Sequence, residues 1–129
     1  MFNRMVVQEA LKSSWALDKS PGLPHDNPPV GQDIVISLLI HDIFGGEILK
    51  THKKKGWHFY NRINGERIDF AASEMGKSSE DNNFEDIPST PDETHNYFAQ
   101  EDYFIFFMRF VRAFEEAVGL EKLQSGYAA

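Results

Sequence analysis

Apolar residues fall along the chain in several distinct rhythms. Residues Val6 to Ala16 carry Val6, Ala10, Leu11 and Trp15 toward one side of a helical projection, which predicts a short amphipathic helix. The stretch IVISLLIHDIF, Ile34 to Phe44, is apolar almost all round. Its length and the Gly45-Gly46 pair just after it predict a buried helix with a glycine stop. Glu47 to Thr51, Trp57 to Ile63 and Glu66 to Phe70 read as strands. Lys53 to Gly56 turns the chain between the first two, and Asn64-Gly65 makes a two-residue type I′ hairpin between the last two. From about Gln100 to Val118, Tyr103, Phe104, Phe107, Phe110, Val111, Phe114 and Val118 recur at three and four, an amphipathic helix whose stripe is expected to be core. The expected fold is α+β in one domain, 1–129: a central buried helix on a small antiparallel sheet, with amphipathic helices at both ends.

Between these elements lie two segments of other character. KSPGLPHDNPPVG, before the buried helix, is a loop rich in Pro, Gly and Asn. Residues 79–94 hold six acidic residues, two prolines and no Lys or Arg, and read as a long mobile surface loop. A sharper version of that reading makes it a lid with Phe84 at its tip. Residues 120–129 read as a frayed tail.

The chain has 129 residues, 41% of them hydrophobic and 26% charged, enough for one core. Its formal net charge of −7 disfavours nucleic acid and anionic membrane surfaces as partners. No apolar run is long enough to cross a bilayer, and the N-terminus lacks the apolar region of a secretion signal, so a cytoplasmic location is expected. There is no cysteine, which excludes disulfides, thiolate metal sites and thiol catalysis. His41, His52, His58, Asp33, Asp42 and Asp69 could in principle ligate a metal. Their spacing includes no HxxxH or HxH pattern, so neither a metal nor a cofactor is expected.

The hairpin turn fixes a register. Ile63 faces Glu66, Arg62 faces Arg67, Asn61 faces Ile68 and Tyr60 faces Asp69. Alternation puts His58, Tyr60, Arg62, Arg67 and Asp69 on one face, and Trp57, Phe59, Ile63, Ile68 and Phe70 on the other. His58 and Asp69 become diagonal neighbours, so the carboxylate can orient the imidazole and favour its protonated form. Tyr60 competes for the same acid. Asp33, immediately before the buried helix, is read as its N-cap, with Gln32 beside it as a potential donor to an oxyanion.

The stretches NPPVGQDIVISLLIHDIFGGEILKT and GWHFYNRINGERIDF together resemble the YunG-like family of small bacterial proteins. In that family the first stretch reads N-P-x-x-G-Q-C before a hydrophobic helix, and the second reads H-x-x-N-x-x-x-G-x-x-x-D. A Cys at a helix start, a His on a strand and an Asp on the next resembles the papain-like and transglutaminase-like core. Carried over, Gln32 matches the Gln, His58 the His, Asn61 the Asn and Asp69 the acid, while Asp33 stands in the nucleophile's place. The resemblance implies a small-molecule enzyme with Asp33, His58 and Asp69 as its catalytic residues. Gln32, Trp57, Tyr60 and Asn61 would bind the substrate or an oxyanion. The alternative is a non-catalytic relative that binds a ligand or a protein partner, with the acidic loop as a contact and a homo-oligomer left open.

Overall fold

The computed structural model describes residues 2–17, 32–53, 56–70 and 84–124. Gln32–Phe44 forms helix α2, flanked in sequence by α1, Arg4–Leu17. As the all-round apolar pattern predicts, α2 is buried on nearly every side: Leu38, Leu39 and Ile40 are fully inaccessible. Its one interior hydroxyl is accommodated locally, with Ser37 Oγ donating to the Ile34 carbonyl at 2.9 Å. Gly45 and Gly46 end the helix with φ of +84° and +83°. At Gly46 a glycine is required twice over. A Cβ there would meet the Arg62 carbonyl oxygen at 2.6 Å, and the φ itself is left-handed.

Four antiparallel strands follow: β1 (Glu47–Lys53), β2 (Gly56–Ile63), β3 (Glu66–Ile68) and β4 (Ile87–Ser89), in the order β3-β2-β1-β4. The hairpin turn is type I′ in character, with Asn64 at φ 52° and Gly65 at φ 82°. It yields the expected pairs Asn61 with Ile68, Arg62 with Arg67 and Ile63 with Glu66. The strand itself stops at Ile68, so Asp69 lies just past its end rather than opposite Tyr60 in a ladder.

α2 packs on β2, and Asn61 clamps the two together. Its buried amide donates to the Ser37 carbonyl at 3.0 Å and reaches the Glu47 carbonyl at 3.4 Å. Phe59 and Ile63 share that face, with Ile68 opposite Asn61, and all three are buried.

The acidic segment departs from the expected loop. Residues 79–83 lie outside the described residues, but Ile87–Ser89 adds β4 to the edge of β1, and α3 (Pro91–Thr94) and a 3-10 turn (His95–Tyr97) follow. Thr90 caps α3, accepting from the Glu93 N–H at 3.2 Å. The composition hid this because the segment is anchored by its acids: Glu93 accepts from Lys50 at 2.5 Å and from Ser89 at 2.6 Å.

The final helix, α4 (Gln100–Gln124), runs on past Val118, the expected end, into the segment read as a frayed tail. Its inward side is Tyr103, Phe106 and Phe110. Phe104, expected in the core stripe, is 62% exposed. The run of aromatics from Tyr103 to Phe107 fits a period of 3.6 in two adjacent phases, and the structure takes the one containing Phe106. On α1, Val6, Ala10 and Leu11 are buried as expected, together with Val7. The chain falls into two compact units, one holding α1 and α4 and the other α2 through the 3-10 turn. The Pro-rich stretch before α2 lies outside the described residues.

Candidate functional site

Where β3 ends, β2 has an open edge. A two-residue hairpin makes Ile63 and Glu66 a hydrogen-bonded pair, so alternate residues Ile63, Asn61 and Phe59 direct their N–H groups toward β3. Phe59 has lost its strand partner there. The Asp33 carboxylate supplies the acceptor: Phe59 N–H donates to Asp33 Oδ2 at 2.7 Å. The N-cap expectation is thereby revised. Helix α2 begins at Gln32, which puts Asp33 inside its first turn, with its carboxylate given to the neighbouring strand.

The same Oδ2 lies 3.3 Å from His58 Nδ1. On the other side of the ring, His58 Nε2 is 2.6 Å from Asp69 Oδ2. Helix start, strand and strand end thus converge on one imidazole, and all three side chains are largely shielded, at 12%, 14% and 11% exposure for Asp33, His58 and Asp69. Burial alone would push the His58 pKa down. The hydrogen bonds and negative charges of Asp33 and Asp69 outweigh burial and raise it to about 9. At neutral pH His58 is therefore an imidazolium with both N–H groups directed at carboxylates. It can give a proton, but it cannot act as a base.

Tyr60 does not compete for Asp69. Its ring stacks at 6.1 Å from His58, and its hydroxyl donates to Asp86 Oδ1 at 2.7 Å while accepting from the Asp86 N–H at 2.8 Å. Burial, with the Asp86 hydrogen bond, pushes its phenol up to about 12. Asp86 was missed in the sequence. It takes a left-handed φ of 55° and accepts a two-point contact from Arg67, at 3.1 and 2.7 Å. It also lies 3.9 Å from Arg62. The available signal was Arg62 facing Arg67: two like charges directly opposite on a sheet require an anion nearby. Glu47 supplies the second, holding Arg62 at 2.8 and 2.9 Å.

Phe84 and Glu85 extend this strap. Phe84 packs edge-on against Tyr60 at 4.9 Å with the Arg67 guanidinium 4.5 Å from its ring. Glu85 accepts from the His52 N–H at 2.7 Å and from the Thr51 hydroxyl at 3.1 Å.

Of the remaining expected site residues, Gln32 is the buried first residue of α2, at the Asp33 end. Trp57 is not brought to His58. It stacks on His52 at 3.9 Å, with Lys50 Nζ 4.1 Å from its ring. Asn61 serves the α2 clamp rather than the site. Among the described residues, no group of three His, Asp or Glu is placed to hold a metal ion, and no helix is long and apolar enough to cross a membrane.

The profile of the YunG protein family matches residues 3–115. The chain belongs to the YunG family. A Bacillus subtilis (strain 168) relative, described as uncharacterized protein YunG, is 37% identical over 97 residues, which span 75% of this chain and 82% of the relative. No solved structure matches the chain. The matched region of this YunG-family chain includes Asp33, His58, Asp69 and Asp86 together.

Proposed function

We propose that Asp33, His58 and Asp69 form the acid–base centre of an enzyme acting on a small molecule, with a carboxylate seated where papain-like and transglutaminase-like cores seat a thiol. The observation that supports this reading is the convergence of the three side chains, from separate elements, on one shielded point with distances of 2.6 and 3.3 Å. Shielded charges of this kind are costly, and they concentrate at functional sites.

In this scheme Asp33 accepts a proton from the substrate or attacks an activated carbon. His58, cationic at neutral pH, is the proton donor, and Asp69 holds its ring. The amides of the first turn of α2 and the side chain of Gln32 stabilise the charge that develops. Elimination, isomerisation, cyclisation and hydrolysis of an activated substrate all fit these roles. Hydrolysis of an ordinary amide does not, because a carboxylate is a poor nucleophile toward it.

A second reading, a non-catalytic module that binds a ligand or protein, draws support from a specific feature: both His58 ring nitrogens and Asp33 Oδ2 already have partners. A turnover screen over activated esters, lactones and elimination substrates separates the two, with Asp33→Asn and His58→Gln assayed beside the parent and their folding checked by circular dichroism. The enzyme reading expects a folded Asp33→Asn protein with turnover reduced by about 10²-fold or more. Full turnover in that variant refutes it. A compound that raises the melting temperature of the parent, is not consumed, and no longer does so with Asp33→Asn establishes the second reading.

A further inference from the structure

Helix α4 carries an apolar stripe on the side away from its buried residues. Ile105 and Met108 are 42% and 52% exposed, and Phe104 beside them is 62% exposed. At 3.6 residues per turn they project roughly opposite Tyr103, Phe106 and Phe110. Glu101 and Arg112, both exposed, extend the same stripe at its two ends. The spacing Glu101, Ile105, Met108, Arg112 is four, three, four, which reads the same in both directions. Only the sign of the charge distinguishes the ends.

We propose that this stripe is the contact between two copies of the chain, packed with their α4 helices antiparallel about a twofold axis. In that arrangement Ile105 of each copy meets Met108 of the other, and Phe104 covers the flank. Glu101 of each copy faces Arg112 of the other, so two opposite-charge pairs close the ends of the apolar stripe. A parallel pairing would set Glu101 beside Glu101 and Arg112 beside Arg112, so the charges select the antiparallel form. An isologous contact of this kind is self-limiting and yields a dimer. The occupant is a second copy rather than an anionic membrane surface, since the chain has a net charge of −7 and Glu115 and Glu116 are exposed on the same helix.

Sedimentation equilibrium from roughly 5 to 500 µM tests the proposal, over the range in which a modest interface assembles. The parent is expected to dimerise. Met108→Glu, at an exposed position, is expected to stay monomeric with an unchanged circular dichroism spectrum. Glu101→Arg and Arg112→Glu are each expected to weaken association several-fold to about tenfold, since each places like charges at both ends of the stripe. The combined charge reversal is expected to restore it. Orientation can be read directly because the chain has no cysteine. Ile105→Cys mixed with Met108→Cys under a mild oxidant should give the mixed disulfide in preference to either homodimer. A parent that is monomeric across the range, a Met108→Glu protein that dimerises like the parent, or a double reversal as weak as the single changes overturns the proposal.

Discussion

Replacing Asp33 separates a helix cap from a strand-edge clamp. A lost N-cap costs about 1 kcal/mol. The structure predicts more. Asp33 Oδ2 accepts from Phe59 N–H at 2.7 Å, in a position where the Asp33 side chain is only 12% exposed. Removing a charged acceptor and leaving that donor unpartnered is worth about 1–3 kcal/mol. The alanine change also takes away one of the two carboxylates facing His58, adding only about 1 kcal/mol because His58 keeps its closer partner Asp69 at 2.6 Å. Asp33→Ala should therefore lose about 3 kcal/mol, or on the order of 10 °C in melting temperature for a chain of this size. Asp33→Asn keeps an oxygen for Phe59 but no charge for His58, and should lose about half as much. Urea unfolding measures both, with the midpoint moving and the slope unchanged. A loss of about 1 kcal/mol or less for alanine, with asparagine neutral, would refute the clamp and return Asp33 to an ordinary cap.

Three further outcomes follow from the same geometry. His58 is raised from 6.5 to about 9, so its contribution of about 3 kcal/mol is complete below pH 6.5 and is lost as pH rises through 9. The difference in unfolding free energy between the parent and His58→Gln should shrink across that window, and a flat difference would count against it. Gly46→Ala puts a Cβ 2.6 Å from the Arg62 carbonyl oxygen and should cost about 2–4 kcal/mol by thermal unfolding, whereas Gly45→Ala, with the same sign of φ but open space, should cost about 1 kcal/mol. Asp86→Ala leaves Arg62 and Arg67 facing each other and removes the Tyr60 acceptor, so it should cost about 1–2 kcal/mol and lower the Tyr60 phenol from about 12 in an ultraviolet titration.

What could be read without coordinates was whatever a local rule determines. Asn64-Gly65 permits one tight turn, and that turn carried the β2–β3 register from Ile63–Glu66 to Asn61–Ile68, and with it the nearness of His58 and Asp69, though not the expected Tyr60–Asp69 pair. The Gly45-Gly46 stop fixed the end of α2 in the same way. Asp33 could be placed at a helix start, but its true partner depends on where β3 ends, which no local pattern records. Asp86 was illegible for a related reason. It belongs to an acidic segment whose composition signals a solvated loop, and its role exists only because it meets Arg67, and at longer range Arg62, from across the chain. Phe104 and Phe106 show the limit of periodicity itself. In a run of aromatic residues two adjacent helical phases are equally apolar, and packing selects between them.

The central claim is that His58 sits as a cation between Asp33 and Asp69 at neutral pH. Nitrogen-15 NMR of the imidazole rings, followed from pH 5 to pH 10, tests it most directly. His58 should show both ring nitrogens protonated at pH 7.5 and a titration midpoint near 9, falling in Asp69→Asn. A His58 ring that is neutral at pH 7.5, with a midpoint at or below the usual 6.5, would contradict the account.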